Sequence, residues 1–138
     1  MSRPVSGTFL ALVLAQACHS IEEYFTRLFE ILAPARFVSG LLSEDLRIGF
    51  AIFNCSLVAF GLWCYLGRVR RGSQSARALA WFWAIFELLN GSAHLVWAAS
   101  AGGYRPGAAT APILLVIALA LAWQLRNSGS QRGAHARR

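Results

Sequence analysis

The sequence predicts an all-α, four-span transmembrane helical bundle with both termini inside, and three observations lead there. Of 138 residues, 57% are hydrophobic and only 14% are charged, where soluble domains carry about 25% charged residues. The apolar residues gather into four runs, roughly 5–25, 48–66, 78–100 and 108–125. Each approaches the roughly 20 residues that a helix needs to cross a bilayer, and none alternates with the period of a membrane strand. Thirdly, all thirteen cations are arginine. Given four spans, nine fall on one side: Arg3, Arg68, Arg70, Arg71, Arg77, Arg126, Arg132, Arg137 and Arg138. Only Arg27, Arg36, Arg47 and Arg105 fall on the other, beside Glu30, Glu44 and Asp45. Excess arginine in short loops marks the cytoplasmic face. The net charge of +7 therefore reads as topology and contact with membrane lipids, with no nucleic-acid partner. A bacterial cytoplasmic membrane is the expected location.

Residues 1–126 form the transmembrane domain. The first run, "VSGTFLALVLAQACHSIEEYF", competes with a secretory-signal reading, because a cationic start and Ala15-x-Ala17 precede Cys18. Apolar character continues past that point through Ile21, Tyr24 and Phe25, which favours an uncleaved helix. The helix is expected to continue toward Ala33 and stop at Pro34, with "ARFVSGLL" as a short amphipathic piece in the interface plane. The second run has to be followed by a polar loop at "GRVRRGSQSAR", and "AGGYRPG" is a tight turn between the third and fourth. Residues 127–138 hold nothing apolar to bury and are expected to be a disordered basic cytoplasmic tail. The three cysteines, Cys18, Cys55 and Cys64, are read as core thiols outside any disulfide framework.

Two polar stripes interrupt this pattern. His19, Glu22 and Glu23 are related by i+3 and i+4, and Glu87, Asn90 and His94 by i+3 and i+7, so each set shares a helix face. Near a helix end, the first set has a plain alternative as headgroup-level charges, with Glu23 paired to Arg27. Glu87 has less excuse, since a charge at mid-span costs about 3 kcal/mol even on lenient scales. A polar clamp between helices would not require two acids and two histidines. Gly91, with Ala84 and Ala98 at seven-residue intervals, suits close approach of another helix. With the N-terminus inside, His19 and His94 each lie about 9 Å before the outer end of their spans, and Asn54 lies at the same depth. Tyr104 and Thr110 bracket the start of the fourth span. The expectation is a polar His/Glu/Asn pocket in the outer half of the bundle.

"HSIEE", followed by "FELLNGSAH" and "YRPGAATA", resembles the HXXEE-motif family of small membrane proteins, and the resemblance extends from His19 to Thr110. It implies an enzyme whose site holds His19, Glu22, Glu23, Asn90 and His94, with Glu87 and Tyr104 as further members, and it names no substrate or reaction. The residue types themselves suit a divalent metal, Zn, Fe or Mn, on His19, Glu22 and His94. The order differs from the Glu-x-x-His pattern of dimetal bundles and lacks the second histidine of the common zinc signatures. A metal-free His/Glu acid–base pair remains a second option. The expected function is a metal-dependent membrane hydrolase acting on a lipid-like or apolar small molecule. Glu22 and Glu23 serve there as proton carriers, with Asn90, Glu87 and Tyr104 as catalytic partners. A small proton-coupled carrier, a heme- or metal-binding electron carrier with His19 and His94 as axial ligands, and an assembly subunit are the alternatives.

Overall fold

The computed structural model describes residues 1–135, with side chains through residue 128. Its helices are α1 (Arg3–Phe25), α2 (Leu28–Ile31), α3 (Ala33–Leu42), α4 (Leu46–Cys64), α5 (Ala76–Ser100) and α6 (Ala111–His135), with no strand among the described residues. A π-helical turn, Tyr65–Val69, extends α4. Four helices are long and apolar enough to cross a membrane: Arg3–Phe25, Leu46–Val69, Ala76–Ser100 and Ala111–Ser128. This is a multi-pass membrane protein.

Residue placement is the reverse of a water-soluble core. Gln16, His19, Ser20, Glu23, Asn54, Glu87 and His94 are buried, while Leu89, Val96, Val116 and Trp123 are exposed. Lipid solvates the outer faces, and the bundle interior is where polar side chains find partners. The apolar interior lies at the other end, where Phe9, Leu12, Val13, Trp83, Leu114 and Leu121 pack together. The helix α1 packs on α4 and α6, and α5 packs chiefly on α6. Thus α1 and α5 face each other across the bundle. Met1 reaches Gly72 in the α4–α5 connection, while the end of α1 meets the α5–α6 connection.

Several boundaries differ from expectation for local reasons. The helix α1 does not run on toward Ala33. Thr26 folds its hydroxyl back to the Glu22 carbonyl at 2.7 Å, and Arg27 adopts a left-handed conformation at φ 59°, which costs a non-glycine residue about 1 kcal/mol. Arg27 also pairs with Glu30, not with Glu23. The turn sends Leu28 and Phe29 back against Phe50. Pro34 falls in the first turn of α3, a position that needs no amide donor. Asp45 caps α4 by accepting from the Arg47 amide at 2.8 Å, so that helix starts at Leu46. The helix α6 starts at Ala111, three residues later than expected, because the preceding residues are committed to the polar site described below. It continues through residue 135, where a tail without structure was expected; residues 136–138 lie outside the described residues. Of the cysteines, only Cys64 is buried; Cys18 and Cys55 are exposed, and all three are free.

The helix α3 lies against α4 at Gly49, where an added Cβ would stand 2.0 Å from the Ser39 carbonyl oxygen. Gly49→Ala should therefore lift α3 off α4 and cost about 1–3 kcal/mol, the usual range for overpacking. Thermal unfolding in detergent measures this. Gly40→Ala, whose Cβ would meet only the flexible end of Leu46 at 3.8 Å, is the control expected to leave stability unchanged.

Candidate metal centre

Two turns from the end of α1, His19 and Glu23 share one face at i,i+4, with Nε2 of His19 3.3 Å from Glu23 Oε1. Across the bundle, α5 brings Nε2 of His94 to 3.0 Å from the same oxygen. The two rings meet edge to face with centroids 4.8 Å apart. All three side chains are buried. The decisive question is which imidazole nitrogens carry hydrogen.

The partners on the other side of each ring answer it. His94 Nδ1 lies 2.7 Å from the Pro106 carbonyl oxygen, and a carbonyl only accepts, so Nδ1 bears the hydrogen. His19 Nδ1 lies 2.6 Å from Thr110 Oγ1, which lies 2.6 Å from Glu22 Oε2. A hydroxyl has one hydrogen. Donating it to the Glu22 carboxylate obliges Thr110 to accept from His19 Nδ1. With Nδ1 carrying the hydrogen in each ring, the neutral form of each imidazole turns an Nε2 lone pair toward the same carboxylate oxygen, and the three ligand atoms lie within 4.8 Å of one another. Nε2 of His19 makes no hydrogen bond. Three acceptors converging in a buried place need a cation or a proton between them.

The spacing fits a metal. Ligand bonds of about 2.0–2.1 Å in tetrahedral geometry put ligand atoms roughly 3.3 Å apart, near the 3.0 and 3.3 Å that separate Glu23 Oε1 from the two nitrogens, while the set as a whole lies within 4.8 Å. The chemistry fits too: nitrogen and oxygen donors suit Zn, Fe or Mn. Each histidine has its outer nitrogen tied to a carbonyl or a hydroxyl–carboxylate relay, the arrangement that orients ligating imidazoles. Gly107 completes the setting. Its φ is +85°, and an added Cβ would stand 2.5 Å from His94 Nδ1 and 2.8 Å from His19 Cε1. Only glycine lets the connection lie across both rings.

Glu22 points away from the centre and into this connection. Its carboxylate accepts from the Tyr104 hydroxyl at 2.6 Å, the Ala109 amide at 3.1 Å, and both the amide and the hydroxyl of Thr110. Partial burial, together with the Glu22 carboxylate, holds the Tyr104 phenol above its ordinary pKa, so it remains a donor through neutral pH. Arg105 stacks on Trp97 at 5.6 Å, which brings the start of the connection down onto α5.

Beside the centre lies a cavity of about 210 Å³, lined by Gln16, Glu23, Asn54, Asn90 and His94 on one side and by Leu28, Leu32, Val38, Phe53 and Phe86 on the other. Below the histidines, Glu87 is fully buried. Its neighbours are Asn90, with Nδ2 3.4 Å away, and the Gln16 amide, and it bonds to neither imidazole.

These features define a four-helix membrane protein with a buried His/Glu centre that could hold a metal ion. The chain belongs to the family described as "Protein of unknown function with HXXEE motif", whose model matches residues 10–122. No curated protein and no solved structure is significantly similar to it.

Sequence reading and structure divide over which residue does what. His19 and His94 come together as expected from the two stripes. Glu23, not Glu22, joins the two histidines in the group that could hold a metal, and Glu22 instead accepts four hydrogen bonds from the connection. Tyr104 touches Glu22, not the centre. Gly91 does admit a close helix, and that helix is α6: an added Cβ would meet Leu115 at 3.0 Å and the Ala111 carbonyl at 3.1 Å. Ser92 is exposed. Gln16 was missed, although it sits at i−3 from His19 and extends the same face back by a turn. Pro106 and Gly107 act through the backbone, which residue types do not reveal.

Thr110→Val keeps the shape of its side chain and removes the hydroxyl that fixes His19. Metal affinity should fall about 10–100-fold, as for other outer partners of metal ligands. Competition with a chelator of known affinity for zinc measures it, and unchanged affinity would mean that His19 is oriented by something else.

Proposed function

We propose that the protein is a metal-dependent membrane enzyme, with hydrolysis of a lipid-like or other apolar substrate as its reaction. The observation behind this reading is the convergence of two imidazole nitrogens and a carboxylate oxygen beside a cavity with one polar wall and one apolar wall. Three protein ligands with one position left open distinguish catalytic from structural zinc sites. A divalent ion held by His19, Glu23 and His94 would supply Lewis acidity toward an ester or amide carbonyl.

The chain's own groups would do the rest. Glu23 faces both imidazoles through Oε1, which leaves Oε2 for taking and returning a proton. Asn90 lines the cavity, and its long 3.4 Å bonds to Gln16 and Glu87 leave its amide underused as a donor to a substrate carbonyl. Leu28, Leu32 and Val38 would exclude water and receive an apolar chain. Glu22 and Tyr104 hold the connection that orients His19 and act at one remove from the reaction.

The arginine distribution supports placing both termini in the cytoplasm, which puts the centre in the outer half of the membrane. Reporter fusions after Arg71 and after Gly103 should then give opposite signals, with the former cytoplasmic. A heme carrier fits less well: a porphyrin between the imidazoles would have to pass where Glu23 Oε1 stands, 3.0 and 3.3 Å from the two nitrogens.

Elemental analysis tests the metal directly. Protein purified without chelator should hold near-stoichiometric Zn, Fe or Mn, lost on His19→Ala, His94→Ala or Glu23→Ala and retained on Glu30→Ala. Metal at background in the parent protein would reduce the centre to a metal-free His/Glu acid–base site.

A further inference from the structure

Glu87 bonds to neither histidine, and its own hydrogen-bond partners run through Gln16 and Asn90. The Gln16 amide has one terminal atom 2.8 Å from Glu87 Oε2 and the other 3.1 Å from Ser20 Oγ. If the nitrogen faces Glu87, it donates to an acceptor oxygen and no proton is needed between the two. If the oxygen faces it, two oxygens stand 2.8 Å apart and a proton must lie between them.

The Ser20–Asn54 pair, anchored at the Phe50 carbonyl, decides for the oxygen, and Asn90 agrees with it. Asn54 donates through Nδ2 to the Phe50 carbonyl at 3.0 Å, which fixes Oδ1 toward Ser20 Oγ at 2.7 Å. Ser20 must spend its single hydrogen on that oxygen, so toward Gln16 it can only accept, and the Gln16 atom beside it is nitrogen. On the other side, Asn90 Nδ2 lies 3.4 Å from the Gln16 atom that faces Glu87. That atom must be oxygen, or two amide nitrogens would confront each other as donors.

We infer that Glu87 is a proton-binding site of the bundle, separate from the metal centre: a neutral carboxylic acid that donates to the Gln16 carbonyl. From it one directed chain crosses three helices, from Glu87 to Gln16, Ser20, Asn54 and the Phe50 carbonyl. Losing the proton reverses the chain. The Gln16 amide turns over to give its nitrogen to the carboxylate, Ser20 turns its hydrogen to the Gln16 oxygen, and Asn54 Oδ1 loses its donor. Because Gln16, Asn54 and Asn90 all line the cavity, proton occupancy of Glu87 sets which polar atoms the cavity wall offers.

The ionisable groups around Glu87 favour the neutral form or stand apart from it. Glu23 on α1 lies roughly 10 Å along the helix from Gln16 and would oppose a second anion. His19 on α1 and His94 on α5 already face Glu23. The helix α4 brings Cys55, which is exposed, and the only ionisable side chain of α6 up to residue 128 is Arg126, near its far end.

Infrared spectroscopy of the purified full-length protein in detergent at neutral pH tests this. A protonated-carboxyl carbonyl band should be present, absent from Glu87→Gln, and shifted to higher frequency in Gln16→Leu, which removes its acceptor. No such band in the parent, or a band that survives Glu87→Gln, overturns the assignment. Should Glu87→Gln fail to fold, a band unshifted in Gln16→Leu overturns it equally. Metal content of Glu87→Gln should match the parent, so loss of the metal reading and loss of this one are distinguishable.

Discussion

Everything at the site end of the bundle depends on how the α5–α6 connection fixes two imidazole hydrogens. Pro106 takes the hydrogen of one ring at 2.7 Å, and Thr110 takes that of the other at 2.6 Å. Without those two acceptors either ring could turn or change tautomer, offering a donor toward Glu23 in place of a lone pair. Glu22 is what makes the connection rigid enough for this. Its four hydrogen bonds tie the end of α1 to Tyr104, Ala109 and Thr110, so one carboxylate positions another residue's imidazole through a single hydroxyl.

That arrangement has a cost that only a membrane bundle of this shape sustains. Burying Glu23, Glu87, His19, His94, Gln16 and Asn54 is unfavourable unless each finds a partner, and lipid supplies none. The partners come from different helices: α1 to α4 through Ser20 and Asn54, α1 to α5 through Gln16 and Asn90, and α1 to the start of α6 through His19 and Thr110. Polar groups thus hold one end of the bundle, and close packing of Phe9, Val13, Trp83 and Leu121 holds the other.

The four helices were legible because crossing a bilayer demands long apolar runs, and the two polar stripes because helical periodicity is strict. Face, however, is not partner. The i+3 and i+4 spacing places both Glu22 and Glu23 near His19 without saying which of them meets His94 across the bundle. The 100° or so between consecutive positions on a helix sends one carboxylate to α5 and the other to the connection. The break at Arg27 was hidden for a similar reason. Thr26 and Arg27 are ordinary helix residues, and only the return of Phe29 against Phe50 makes a left-handed turn worthwhile. Gln16 was legible in principle, since its amide shares the His19 face, yet a polar uncharged residue attracts less notice than a charged one.

Glu23 and Glu87 show how one residue type acquires opposite chemistry within a single bundle. Glu23 faces two imidazoles whose outer nitrogens are held as donors elsewhere, so a cation held between the three atoms would keep it a carboxylate. Glu87 faces an amide oxygen that Ser20, Asn54 and Asn90 prevent from being anything else, so it keeps its hydrogen. Neither state is written in the glutamate; each is imposed by the direction in which the neighbouring hydrogen bonds run. Paired acids driven apart in this way are a recurrent basis for dividing proton donor from proton acceptor in one site. Both open onto the same cavity, Glu23 directly and Glu87 through Gln16 and Asn90. A substrate entering it would meet a charged end and, beside it, a wall whose polarity follows a proton.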